Sequence, residues 1–127
     1  MRAEPTLRLA ALFAGLAVVL GAFGAHAMHD HYDAASLATF ETAVRYQMYH
    51  ALALLGCGLL GKAGFRSGGA AVCFVLGIVL FSGSLYMLVL SGAKWLGAVT
   101  PVGGVAFVLG WALLAWRVGG ARATSVE

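Results

Sequence analysis

Four apolar runs divide the chain, and nearly every charge falls between them or at the ends. The runs cover roughly residues 7–27, 42–60, 69–90 and 99–116. Each is close to the ~17–25 residues with which a helix crosses the hydrocarbon core of a bilayer. The connections are short, so consecutive helices should run antiparallel. The expected fold class is an all-α integral membrane protein: an antiparallel four-helix transmembrane bundle, with 1–127 as a single membrane domain.

The second helix should begin before the membrane does. Leu37, Phe40, Val44 and Met48 recur at spacings of three and four, the stripe of an amphipathic helix. Asp33 is placed to cap it, and a helix from near Ala34 to near Leu60 would be ~40 Å long. That exceeds a ~30 Å hydrocarbon core, so 34–41 is expected to be an interfacial extension in the outer headgroup zone. Thr100-Pro101 predicts the start of the last helix, a hydroxyl cap followed by proline. The pairs Ala10/Ala14 and Ala11/Gly15, and the stripe Ala53, Cys57, Gly61, are small enough for close helix contact.

Composition agrees with a lipid solvent. The chain is 61% apolar and only 10% charged, against about 25% charged in soluble domains. Its formal net charge of +3 comes without a basic cluster, so nucleic-acid binding is not expected. The cations follow topology instead. Arg2, Arg8, Lys62, Arg66, Arg117 and Arg122 fall on one side of the predicted crossings, and Arg45 and Lys94 on the other. By the positive-inside bias, both termini and the 61–68 loop are expected in the cytoplasm.

Two features temper this picture. Ala25-His26-Ala27 after the first run mimics a signal-peptidase site, and cleavage there would leave three crossings. The apolar stretch from Leu9 to Gly24 is longer than a usual signal core, which favours retention. Cys57 and Cys73 each lie inside an apolar run with no CxxC partner, so they read as packing residues.

Candidate chemistry concentrates on the second helix. Glu41 and Arg45 are four apart and can pair along one face near the outer interface. Gln47 and His50 lie deeper, His50 about ~13 Å inside at helical rise. On the third helix, Ser82, Ser84 and Tyr86 reach similar depth and are expected to supply partners to Gln47 and His50. Two readings of His50 stand: a structural interhelical hydrogen bond, or a proton or ligand site of a small transporter. The outer loop holds His26, Met28, His29, Asp30 and His31, donors that suit copper or zinc, though at no recognised site spacing. No cofactor is expected. No nucleophile–base pattern, phosphate-binding loop or zinc-protease helix is present.

Several blocks also carry a resemblance. Gly21-Ala22-Phe23-Gly24-Ala25-His26, Phe40 through Leu55, Phe81-Ser82-Gly83-Ser84-Leu85-Tyr86, Thr100-Pro101-Val102-Gly103-Gly104 and Gly110-Trp111 occur in that order. Together they resemble the small four-helix inner-membrane family of YgdD and transmembrane protein 256, domain of unknown function family 423. The resemblance implies a bacterial inner-membrane protein with a retained first helix and no established biochemical activity. It marks His26 and His50 as family positions and leaves His29 and His31 outside the pattern. No catalytic residue can be carried over. The leading expectation is a non-enzymatic structural, interaction or lipid-binding protein whose tentative polar cluster is His26, Glu41, Arg45, Gln47, His50, Ser82, Ser84 and Tyr86. Its expected partners are membrane lipid and a membrane protein or second copy of itself. A transporter using His50 is the alternative, and a metal-binding factor using the outer histidines the third.

Overall fold

In the computed structural model the chain runs as long antiparallel helices. Residues 1–121 are described; Arg122, grouped above with the cytoplasmic cations, and the tail after it lie outside the described residues. Helix α1 spans Ala3–His26 and α2 spans Ala34–Lys62. The third crossing, Gly68–Ser91, consists of α3 (Gly68–Gly77), a π-helical turn (Ile78–Ser82) and α4 (Gly83–Ser91). A 3₁₀ turn (Lys94–Ala98) leads into α5 (Thr100–Ala121).

Local chemistry sets the ends. The Asp33 carboxylate accepts the Ser36 N–H at 2.7 Å and caps α2. That backbone bond, helped by the Ser36 hydroxyl, holds the Asp33 carboxyl below its ordinary range. At the other boundary, Gly92 adopts φ +70° and donates its N–H to the Leu88 carbonyl, closing α4. A left-handed residue there suits glycine, which has no Cβ to clash.

The helices pair in two close sets, each with aromatic or aliphatic side chains seated over glycines. Between α1 and α2, Gly24 lies under the Phe40 ring, Gly21 faces Val44, Gly58 faces Leu7 and Gly61 faces Ala3. Between the third crossing and α5, Gly110 lies under Phe74, Gly77 under Phe107, and Gly103 against the Phe81 backbone. In both sets residue numbers rise on one helix as they fall on the other, the signature of antiparallel packing. A methyl group at Gly103 would overlap the Phe81 backbone nitrogen, so backbones approach there as only glycine permits.

The π turn decides how the third crossing faces α2. Phe74, Ile78 and Ser82 are buried, and Tyr86 continues the same stripe four residues on. In a regular helix a spacing of four over-rotates by about 40° per step, so such a stripe would wind away. The wider π turn, with Gly83 N–H bonded five residues back to the Ile78 carbonyl, absorbs that rotation. The sequence pattern alone predicts an uninterrupted α-helix here.

Small residues turn inward unevenly. Ala10 and Ala17 of α1 are buried with Cys57 and Leu54 of α2, while Gly15 has open space beside it. The pair Ala11/Gly15 thus faces outward, not toward a neighbour. Both cysteines are free.

The outer surface is hydrocarbon-like. Leu12, Val19, Leu52, Leu59, Val79 and Val108 all project outward, an apolar exposure that soluble monomers rarely tolerate. Among the described residues, three helical segments are long and apolar enough to cross a membrane: Ala3–His26, Gly68–Ser91 and Lys94–Gly119. Helix α2, at 29 residues, has the length but is diluted by polar groups. Its Gln47 and His50 point inward, so the side it presents outward remains apolar through Leu52, Leu55 and Leu59.

Candidate functional site

The buried face of α2 carries two polar residues three positions apart, Gln47 and His50, so they share one side of the helix. Gln47 is almost fully enclosed. Its Nε2 donates to the Phe13 carbonyl of α1 at 2.9 Å, and its Oε1 accepts the Tyr86 hydroxyl of α4 at 2.8 Å. One amide thereby joins α1, α2 and α4.

His50 connects α2 to α5. Its Nδ1 lies 2.7 Å from the Tyr46 carbonyl, and Trp111 Nε1 donates to its Nε2 at 3.2 Å. A carbonyl can only accept and an indole N–H can only donate, so these partners assign the neutral tautomer with the proton on Nδ1. The ring stacks on Phe107 with centroids 3.5 Å apart and planes 9° from parallel, and Phe74 closes another side. The imidazole is therefore hydrogen-bonded at both nitrogens and packed on its face.

Ser82 donates to the Ala43 carbonyl of α2 at 2.8 Å, tying the π turn to the same face. Among the described residues no buried side-chain nitrogen or oxygen lacks a hydrogen-bond partner. In lipid this matters, because an unpaired polar group has no water to turn to.

The expected cluster thus divides. Gln47 and Tyr86 meet as a pair. Ser82 and Ser84 do not bond Gln47 or His50. Residues two apart on a helix point in nearly opposite directions, and Ser84 instead meets the Thr100 hydroxyl at the start of α5, 2.6 Å away. Glu41 and Arg45 pair with each other at 2.7 Å on the outside, with side chains 61% and 59% exposed. His26 lies apart, its Nδ1 bonded to the Ala22 carbonyl one turn back.

The outer-loop residues do not gather. Met28 is buried, whereas His26, His29 and His31 are exposed. His29 sits 3.5 Å from Asp30. Among the described residues no group of three His, Cys, Asp or Glu side chains is close enough to hold a metal ion.

Trp111 and Phe107 are the residues of this site that sequence reasoning missed. A signal existed. Trp111 lies five residues, ~8 Å at helical rise, inside the end of its apolar run, where Trp116 already takes the interface position. An indole N–H at that depth needs an acceptor, and His50 is the acceptor at matching depth.

Comparison with known proteins places the chain among membrane proteins. The model of the DUF423 family, described as a protein of unknown function, matches residues 20–104. A UPF0382 membrane protein of Staphylococcus epidermidis is 47% identical over 84% of this chain and 88% of its own length. UPF0382 membrane protein YwdK of Bacillus subtilis is 45% identical, covering 84% of this chain and 89% of its own. UPF0382 inner membrane protein YgdD of Escherichia coli is 41% identical over 86% of this chain and 88% of its own. No solved structure matches the chain significantly. With its helices, its lipid-compatible surface and these relatives, the chain is a membrane protein and belongs to the DUF423 family.

Proposed function

We propose that the protein is a non-enzymatic integral protein of the bacterial inner membrane that acts through its fold and its lipid-facing surface. In this reading Gln47 and His50 order the bundle, and the outside meets lipid or another membrane protein. The observation that carries it is the saturation of both side chains. Gln47 bonds α1 and α4, and His50 uses one nitrogen within α2 and the other on Trp111 of α5. A transport cycle through His50 would place a second proton on Nε2, where the indole N–H already points as a donor. The structural reading needs no such rearrangement.

We propose that both ends of the chain face the cytoplasm, by the positive-inside bias. Arg2, Lys62, Arg66 and Arg117 lie at one end of the helices, and the other end holds Asp30, Asp33 and Lys94. The inner-membrane assignment draws on the similarity to YgdD, an inner membrane protein of Escherichia coli.

The test is His50→Ala in purified protein, read by thermal unfolding in detergent and by proton or solute flux in proteoliposomes. A lower unfolding temperature is expected. An unchanged melt with a lost flux would replace this reading with the transporter one.

A further inference from the structure

We propose that the cleft between the outer halves of α1 and α2 binds a phospholipid whose headgroup carries a primary amine. The proposal rests on the lipid-facing reading above and gives it a site and a ligand class.

The cleft encloses about 400 Å³, within the ~300–1,000 Å³ typical of small-molecule sites. Its floor is apolar: Gly21 and Gly24 of α1 with Phe40 and Val44 of α2. Phe40 and Val44 seat over Gly24 and Gly21, so the cleft opens beside these contacts, with Ala25 and Leu37 completing its apolar lining. Glu41 and Arg45 line its rim, and His29 stands at its outer end.

Depth places that rim at headgroup level. Counting from Lys62 at the inner boundary, a ~30 Å core takes up about twenty residues of helix and ends near Thr42. Glu41 and Arg45 straddle that level. The cleft, whose α2 lining runs from Leu37 to Arg45, therefore receives the headgroup, with the phosphate beside Arg45 and the terminal amine beside Glu41. The acyl chains continue inward along the apolar outer face of the helices.

Charge complementarity selects the headgroup. Arg45 Nη2 and Glu41 Oε1 are 2.7 Å apart and both side chains are more than half exposed, so each keeps free hydrogen-bonding capacity outward. A phosphate diester accepts from the guanidinium. A primary ammonium donates to the carboxylate. A choline headgroup offers no N–H to Glu41, and a glycerol headgroup offers no cation. The apolar floor commits the site to a lipid, not to a free aminophosphate.

The test is native mass spectrometry of the full chain in detergent, offered phosphatidylethanolamine, phosphatidylcholine and phosphatidylglycerol with matched acyl chains. Preferential retention of phosphatidylethanolamine by about ten-fold is expected, as one charge-assisted hydrogen bond allows. Glu41→Gln should abolish the preference and keep lipid binding. Arg45→Gln should weaken all three lipids. Ala25→Trp, an exposed α1 residue lining the cleft, should block all three by filling it. Soluble glycerophosphoethanolamine should not displace bound lipid. Equal retention of the three lipids by the unmodified protein, or an unchanged preference in Glu41→Gln, overturns the proposal. Each variant is first checked to melt like the unmodified protein. The outcome is then separate from the His50→Ala test, which addresses the bundle alone.

Discussion

Helix α2 carries two sets of polar side chains, an ionic pair at its outer end and two neutral groups deeper in, and they are satisfied in different ways. Glu41 and Arg45 satisfy one another along the helix surface and remain mostly exposed. Gln47 and His50 lie one to two turns deeper, are buried, and find partners only on other helices. The lesson is about depth and facing. At the interface, an ionic pair competes with water and contributes little. In the interior, neutral amide and imidazole groups can be fully satisfied by neighbouring helices, and their loss leaves those neighbours unsatisfied.

The contrast is broken most forcefully at His50. His50→Ala removes the ring stacked on Phe107 and the acceptor for Trp111 together. We expect a loss of about 2–4 kcal/mol, measured by reversible unfolding in mixed micelles. A variant as stable as the unmodified protein would erase the distinction between the two sets.

Gln47→Leu comes next. It keeps bulk but strands the Tyr86 hydroxyl and removes the tie to the Phe13 carbonyl, and should lose about 1–2 kcal/mol. Adding Tyr86→Phe should lose less than the sum of the two single changes, because the stranded hydroxyl disappears with it. Strict additivity in that double-mutant cycle would deny the Gln47–Tyr86 bond an energetic role.

For the rim pair, Glu41→Gln and Arg45→Gln should each change stability by less than about 0.5 kcal/mol. A larger loss in the same unfolding assay would move the pair into the structural class.

The smallest expected effect sits at the outer end of α2. The carboxyl of Asp33 is held below its ordinary range by the Ser36 N–H and hydroxyl. The cap is therefore fully present above the ordinary carboxylate pKa and is lost as pH falls through the lowered folded value. Hydrogen exchange at the first turn of α2 should quicken, relative to the intrinsic rate, over that acid window. Asp33→Ser, which caps without a charge, should remove the acid-dependent step.

Legibility in the sequence varied with the range of the interaction. Four apolar runs predicted four long helices and the fold class, since helix length and apolarity are local properties. The Asp33 cap was equally local. The i,i+4 spacing of Glu41 and Arg45 was readable for the same reason. The partner of His50 was not, because it depends on where α5 packs, sixty-one positions along the chain. Ser82 and Ser84 looked like one polar edge in the sequence, yet they separate to α2 and α5. The π turn left no mark on the apolar pattern.

What the residues determined by themselves was the medium and the long helices, because hydrocarbon accepts only helices with internally satisfied backbones. Packing decided the rest. The seating of Phe74, Phe81 and Phe107 against Gly110, Gly103 and Gly77 sets how α5 approaches the third crossing. That approach brings Trp111 to His50, an outcome of long-range geometry that no local spacing encodes.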